Sequence, residues 1–302
     1  MKQRNLLGLL LMFVMLTTAC AQNNQQTNSL LWKVSGNGLE SPSYLFGTHH
    51  LIPLSFLDNV PGVNEAFDAT EQVVGELDMS KMAEMQAQIM MGSVMPQDYS
   101  YNNLLSEDDY ALLDNALKEN IGMGLDQLGQ MKPAMLNNLL VVMEYQKLYP
   151  EMSNKVSIDQ YFQDEATKKS LPVVALETAE DQIYALLGHQ SIERQAEMLA
   201  CMLNHPELLK EQMDRMQEAY VAQDLKVLAE LYEEEKADDP CPSTQEEKDV
   251  LNKDRNLKWL DKLPEMMSDK SSFVAVGCLH LVGNDGLIEG LRQKGYTVEA
   301  VK

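Results

Sequence analysis

Hydrophobic and polar residues follow different patterns at the ends of the chain and in its middle. Toward the ends, short apolar runs are bounded by Gly, Pro, Asn or Ser, which is typical of strands. The runs predicted to form strands are residues 30–35, 44–47, 72–77, 171–176, 272–276 and 296–301. Gly, Asn and Pro between the first two runs indicate a hairpin.

Most of the intervening sequence has the composition and periodicity of helices. Residues 179–236 are rich in helix-forming side chains. Thr244 and Glu247 match a capping box, which predicts a helix that starts there. We expect this helix to end by Leu263, because Pro264 follows it.

These patterns predict an α/β protein with a mixed central sheet built from both chain ends and a large helical middle region. We expect one domain over residues 30–302. Its last strand, helix and strand, within residues 272–301, form a candidate right-handed crossover unit.

Composition narrows the range of partners. The 302 residues carry a formal net charge of −22, and 45% of them are hydrophobic. This is the composition of a globular protein, whereas nucleic-acid binding requires a basic face. We therefore expect no nucleic-acid partner and no adsorption of the domain to anionic lipid.

The N-terminus predicts export. Lys2 and Arg4 precede an apolar run that is too short to span a bilayer and fits a signal peptide of residues 1–19. The run ends in Leu-Thr-Thr-Ala-Cys20, which resembles the lipobox of bacterial lipoproteins, with Thr17 in place of the usual Leu. Cys20 would then be lipidated and residues 20–29 would form a tether. We expect a cell-envelope lipoprotein, anchored in the outer membrane and facing the periplasm. The alternative is a plain cleaved signal with an incidental cysteine.

Three further cysteines follow. Export makes disulfides feasible, so Cys201 and Cys241 are a candidate pair that would clip the helical region. Cys278 follows a predicted buried strand and is expected to be a packed thiol.

The candidate chemistry begins with a phrase that occurs twice. An apolar run, Gly and two residues precede both His50 and His280. In both copies we expect the Gly to let the chain turn sharply as it leaves the sheet, presenting His at the carboxyl end of a strand. Two imidazoles delivered in this way could share a metal ion. The alternative is two histidines with ordinary structural partners. His49 is the weaker ligand candidate, because alternation would point it the other way.

Glu76 is the natural third group. It ends an apolar strand, where a carboxylate is costly unless it is exposed or paired. Two histidines and one carboxylate leave coordination positions open for water or a substrate carbonyl. Glu76 could instead stay off the metal and act as a general base, or simply be an exposed residue at the end of a strand.

Several short motifs, taken in order, resemble the TraB/GumN family, which includes the Tiki proteases. The motifs are Tyr44-Leu-Phe-Gly-Thr-His-His50, Val74-Gly-Glu76-Leu, Ser157-Ile-Asp159, Leu176-Glu177-Thr, Arg255-Asn256 and Val276-Gly-Cys-Leu-His280-Leu-Val-Gly. The resemblance runs over nearly all of the chain that follows residue 29. It implies an erythromycin-esterase/ChaN-like α/β fold.

The same resemblance implies a metal site and residues around it. His50, Glu76 and His280 would bind Mn²⁺ or Co²⁺, with Zn²⁺ as an alternative, and Arg255 and Asn256 would lie beside them as catalytic residues. Arg255 could clamp a carboxylate or stabilise an oxyanion. It could equally be a buried structural residue that pairs with Asp159 or Glu177, and the sequence leaves both readings open.

The expected function is that of a lipid-anchored, metal-dependent hydrolase, most simply a peptidase that acts on peptides or protein termini. Some members of the family restrain peptide pheromones, so the alternative is a non-catalytic lipoprotein that binds and sequesters a peptide or haem. The expected partners are a peptide or protein and, through Cys20 alone, a membrane.

Overall fold

The computed structural model of the protein describes residues 28–152, 156–236 and 238–302. Its sheet has six strands, all at positions that the apolar runs predict. The strands are β1 (Leu31–Ser35), β2 (Ser43–Thr48), β3 (Gln72–Gly75), β4 (Val173–Ala175), β5 (Ser272–Gly277) and β6 (Thr297–Ala300). The predicted signal peptide and most of the predicted tether, including Cys20, lie outside the described residues.

The strand order is β4-β3-β5-β2-β1-β6, so both ends of the chain build the sheet. The first four of these strands are parallel, and β1 is antiparallel to both β2 and β6. The hairpin and the mixed sheet are therefore confirmed. β5 and β6 run in the same direction but are separated by β2 and β1, so the last strand–helix–strand unit spans two intervening strands.

The described residues contain fourteen α-helices. They are α1 (Val63–Asp68), α2 (Met82–Gly92), α3 (Tyr101–Leu104), α4 (Glu107–Ile121), α5 (Leu125–Leu128), α6 (Pro133–Leu148), α7 (Ile158–Lys168), α8 (Ala179–Ile183), α9 (Ile192–Asn204), α10 (Pro206–Val221), α11 (Leu225–Glu233), α12 (Gln245–Leu251), α13 (Lys253–Asp269) and α14 (Leu287–Gln293). Among the described residues, no helix combines the length and apolar character that a bilayer span requires.

The central strands form the main hydrophobic core. β5 is buried along almost its whole length, as expected for a parallel strand covered by helices on both faces. Phe46, Phe162 and Phe273 pack together in this core, and Trp259 is fully buried in it. A second apolar cluster lies among α3, α4, α5, α6 and α9 of the helical middle region.

The prediction that a helix ends before Pro264 is wrong. The capping box at Thr244 starts the short α12, and the helical conformation is interrupted at Asn252. α13 then begins at Lys253 and continues through Pro264 to Asp269. Proline removes one hydrogen-bond donor from a helix. The buried side chains of Leu263 and Met267, on either side of it, keep this face of α13 on the core.

A disulfide joins Cys201 at the end of α9 to Cys241 in the loop before α12, which confirms the predicted pair. Cys278 is free and buried, as expected. At the start of the described chain, the hydroxyl of Ser29 donates to the carbonyl of Val301 and ties the beginning of the sheet to its end.

Candidate metal centre

The three predicted metal ligands follow the ends of three adjacent parallel strands. His50 comes after β2, Glu76 directly after β3, and His280 in a short 3-10 turn after β5. β5 lies between the other two strands. Because parallel strands point the same way, all three residues emerge at one edge of the sheet.

His280 is buried and held from both sides. Its Nδ1 lies 2.8 Å from Oδ1 of Asn256, and its Nε2 lies 3.0 Å from Nη1 of Arg255. Since a guanidinium can only donate, Nε2 is the acceptor and the proton is on Nδ1. Burial lowers the pKa of His280 to about 4, so the ring is neutral at pH 7.

Asn256 fixes that orientation from α13. Its amide nitrogen donates to Oδ1 of Asn252 and to the backbone carbonyls of His280 and Asp285. The amide oxygen is therefore left to accept the proton of His280 Nδ1. Asn256 has no exposed surface, so it orients the imidazole from behind.

Glu76 accepts hydrogen bonds at both oxygens. Oε1 accepts from the backbone N–H of Gly277 at 2.9 Å, and Oε2 accepts from Arg255 at 2.6 Å and from Gln182 at 3.2 Å. Burial alone would raise the pKa of Glu76, but the neighbouring His280 and Arg255 outweigh it and hold the pKa at about 2. Glu76 is thus a carboxylate at neutral pH.

Arg255 connects two acidic residues. It makes a two-pronged contact with Glu177, through Nε at 3.0 Å and Nη2 at 2.6 Å, and Nη2 also donates to Glu76. The predicted structural pairing with Glu177 is confirmed, whereas the alternative pairing with Asp159 is wrong. Arg255 also stacks over Trp259, 4.9 Å from the ring centroid.

Asp159 instead forms a hydrogen bond with His50. Its Oδ2 lies 2.8 Å from Nδ1 of His50, and its Oδ1 accepts from the hydroxyl of Thr48 at 2.6 Å. The hydrogen bond to Asp159 raises the pKa of His50 to about 9. The side chain of His50 is 63% exposed, so its second nitrogen, Nε2, remains open to solvent and ligands.

His49 points away from this edge, as alternation predicts. Its ring lies between Tyr145 and Tyr220, at centroid distances of 5.5 and 5.2 Å. The backbone N–H of Leu51 donates to its Nδ1. Burial lowers the pKa of His49 to about 4, so this histidine is a neutral packing residue.

The three candidate ligands form an open arrangement. Glu76 Oε1 and His280 Nε2 are 4.0 Å apart. His50 does not complete a tight trio with them, because the only three-donor group within 4.8 Å among the described residues is Cys201, His205 and Cys241.

The donor set nevertheless fits a divalent metal. Metal-binding histidines usually bond an oxygen acceptor through the ring nitrogen that does not touch the metal. Asn256 accepts this bond from His280, and Asp159 accepts it from His50. Nε2 of each ring is therefore the nitrogen that could bind a metal. Binding would require release of a proton from His50 and of the Arg255 contact from His280 Nε2.

The glycine of each repeated phrase has a role other than the predicted sharp turn. Gly47 lies within β2, and a Cβ there would come within 3.1 Å of the Cα of Cys278. Gly277 has φ −50°, which any residue adopts, and its amide binds Glu76. Thus Gly47 permits close packing of the chain after β5, and neither glycine requires a left-handed conformation.

Sequence reasoning missed one contributor to this site, Gln182, and considered the wrong partner for a second, Asp159. Gln182 reaches Glu76 from α8, and Asp159 orients His50 from the first turn of α7. Asp159 stood in a motif of the family resemblance, which was the available signal, whereas nothing in the pattern distinguishes Gln182 from other polar helix residues.

Comparison with known proteins identifies the family of the chain. The model of the TraB/PrgY/gumN family matches residues 30–300, a span that contains all six strands and every residue of the candidate centre. No curated protein and no solved structure matches the chain. On the strength of the family match, the chain belongs to the TraB/PrgY/gumN family.

Proposed function

We propose that this protein is a lipid-anchored, divalent-metal-dependent hydrolase that cleaves peptides or protein termini, with Mn²⁺ or Co²⁺ held by His50, Glu76 and His280 and Zn²⁺ as the alternative metal. The observation that carries the proposal is the oriented pair of histidines. Each shares its Nδ1 proton with an oxygen acceptor, so Nε2 is the ring nitrogen that would bind the metal beside the carboxylate of Glu76, once Arg255 releases Nε2 of His280.

The bound metal would lower the pKa of a water molecule and polarise the substrate carbonyl. The protein residues prepare the site for that chemistry. His280 is neutral and fixed, and Glu76 is ionised, with lone pairs left to bind the metal or to accept a proton. Arg255 places a permanent positive charge beside Glu76, and the Nη1 N–H that now faces His280 would become free for a substrate carboxylate or a developing oxyanion once Nε2 of His280 binds the metal.

Location at the cell envelope is supported by two features. Cys20 ends a lipobox-like sequence after an apolar run. The disulfide between Cys201 and Cys241 suits an oxidising compartment outside the cytoplasm. Labelling of cells with a radioactive fatty acid tests the anchor, because Cys20→Ala should abolish labelling of the protein.

Hydrolysis of a peptide library with added Mn²⁺ or Co²⁺ tests the activity. We expect cleavage by the wild type, and at least a 100-fold loss for His280→Ala and for Glu76→Gln, since each would remove a group that binds metal or handles protons. His49→Asn is the matched control, because its amide oxygen can accept the hydrogen bond from the backbone N–H of Leu51 in place of Nδ1. His49 lies between two tyrosines and is not a proposed ligand, so this variant should keep its activity. Unchanged cleavage by both site variants would contradict the proposal.

One observation favours a second function, sequestration of a peptide or haem without catalysis. Arg255 already satisfies Glu76, Glu177 and His280 in a closed network, as in a structural ion-pair cluster. A peptide ligand that binds metal-free protein and His50→Ala with unchanged affinity, without being cleaved, would support this function. For haem, a Soret band after haem addition would be required.

A further inference from the structure

A second group of metal-binding side chains lies far along the sequence from the candidate centre. Cys201 is on the last turn of α9, His205 follows it by four residues at the junction of α9 and α10, and Cys241 comes from the loop before α12. One ligand atom from each of the three lies within 4.8 Å of the others. All three residues are half-buried.

The spacing of Cys201 and His205 is that of a chelating pair. Residues four apart on a helix share one face, which is why His pairs with this spacing bind zinc. Zinc binds thiolate at about 2.3 Å and imidazole at about 2.0–2.1 Å, so ligands of one ion are separated by roughly 3–4 Å. The ligand atoms of the three residues, which all lie within 4.8 Å of one another, are close to this spacing.

In the oxidised chain the two sulfur atoms are bonded to each other and cannot act as thiolates. We propose that the reduced chain binds one Zn²⁺ through Cys201, His205 and Cys241, with water as the fourth ligand, and that the disulfide closes this site. The site is separate from the centre formed by His50, Glu76 and His280 and does not depend on the function proposed for it.

The reaction that opens the site balances with an external dithiol. The dithiol gives two electrons and two protons and becomes a disulfide, while the bond between Cys201 and Cys241 breaks to give two thiols. Zn²⁺ then binds the two sulfur atoms as thiolates, and two protons are released to water. In the reverse direction an external disulfide takes up two electrons and two protons and becomes a dithiol, while the two thiolates form the bond between Cys201 and Cys241 again and release the ion.

The ion has a route to these donors. His205 and Cys241 line a cavity of about 780 Å³ that is open to solvent, and Asp239 of the same loop lines it as well. Asp239 also accepts a hydrogen bond from the backbone N–H of Cys241, which fixes the local shape of the loop. Arg194 of α9 donates to the carbonyl of Pro242 at 2.7 Å, which holds this part of the loop beside α9. The loop thus stays next to His205 without relying on the disulfide alone.

Cobalt is the probe for this site, because a thiolate bound to Co²⁺ gives a charge-transfer absorption that oxygen and nitrogen ligands do not give. The protein is reduced with a dithiol, freed of reductant by anaerobic gel filtration, and titrated with Co²⁺ and then Zn²⁺. We expect the reduced protein to develop a thiolate band with the intensity of one Co²⁺ per chain, in addition to any Co²⁺ at the centre of His50, Glu76 and His280, which has no thiolate. The oxidised protein should give no such band, and Zn²⁺ should abolish the band of the reduced protein.

Variants assign the ligands. Loss of a residue that only hydrogen-bonds to a ligand typically lowers metal affinity about 10–100-fold. His205 and Cys241 would bind the ion directly, so His205→Ala and Cys241→Ser should each lower the affinity more than 100-fold. Cys278→Ala, which removes the buried third thiol, should keep the band at full intensity. Zn²⁺ should also slow alkylation of the two thiols in the reduced wild type, a measurement that needs no variant. Absence of the thiolate band in reduced wild type, or unchanged affinity in His205→Ala, would overturn the proposal.

Discussion

Replacing the glycine of each repeated phrase by alanine should change the stability of the protein in opposite directions. In Gly47→Ala, the new Cβ would lie 3.1 Å from the Cα and Cβ of Cys278 and 3.0 Å from a methyl of Leu281. In Gly277→Ala, its nearest neighbours would be Oε1 of Glu76 at 3.4 Å and a ring carbon of His280 at 3.6 Å, which are ordinary contacts.

The magnitudes follow from these distances. Replacing Gly by Ala where the backbone allows it stabilises a protein by about 0.4–1 kcal/mol, because the unfolded chain loses freedom. Overpacking of a tight core costs about 1–3 kcal/mol. The backbone of Cys278 cannot move aside as the end of a side chain could, so Gly47→Ala should have a net cost of roughly 1–2 kcal/mol. Gly277→Ala should gain about 0.4–1 kcal/mol, since it meets no such obstacle.

Urea unfolding followed by far-UV circular dichroism measures both effects. The unfolding midpoint should fall for Gly47→Ala and rise for Gly277→Ala, with an unchanged dependence on urea. A Gly47→Ala protein as stable as wild type would refute the role of close packing at Gly47. Equal destabilisation by both substitutions would refute the distinction between the two glycines.

Three further predictions concern the ion pairs and the disulfide. Arg255→Met should lower the free energy of unfolding by about 3–5 kcal/mol, because it leaves two buried carboxylates without their cation. Replacing both Cys201 and Cys241 by Ser should cost about 4 kcal/mol, the chain-entropy value for a sequence separation of 40. The hydrogen bond from Arg194 lowers the pKa of Glu247 from 4.5 to about 2, so its stabilisation is complete above pH 4.5 and is lost as the pH falls toward 2. Glu247→Gln should therefore flatten the dependence of stability on pH in that window.

Each of these predictions has a matched comparison in urea or thermal unfolding. Arg215→Met breaks an exposed pair with Glu234 and should cost less than about 1 kcal/mol, so an equal loss from Arg255→Met would contradict the buried-pair argument. For the disulfide, the double variant should match dithiol-reduced wild type in metal-free buffer. For the pH effect, Glu230→Gln, at an exposed position, should keep the wild-type slope between pH 4.5 and 2.

The sequence predicted the sheet well because its strands are short apolar runs with clear boundaries. The match between β5 and residues 272–276 is close, since every residue of that run is buried. The edge at which His50, Glu76 and His280 emerge followed from the same reasoning, because residues after parallel strands share one edge. The disulfide followed from the small number of cysteines left after Cys20 and Cys278 were assigned.

What sequence reasoning could not supply were contacts between distant segments. Whether Asp159 pairs with Arg255 or with His50 depends on how α7 and α13 lie against the sheet, which no local pattern encodes. Gly47 looked like a turn residue because its real constraint, the backbone of Cys278, lies more than two hundred positions away. The helix end predicted at Pro264 was wrong because the burial of Leu263 and Met267 outweighs the tendency of proline to end a helix.

The central claim is that His50, Glu76 and His280 share one metal ion. Its most direct test is the number and affinity of Mn²⁺ ions bound by the oxidised protein, measured by equilibrium dialysis for wild type and for His50→Ala, Glu76→Gln and His280→Ala. We predict one ion per chain in wild type and more than a 100-fold loss of affinity in each variant. This loss exceeds the roughly 10–100-fold typical of residues that only hydrogen-bond to a ligand, because each variant removes a direct ligand. Binding of Mn²⁺ that is equal in wild type and all three variants, or no binding in wild type, would contradict the claim.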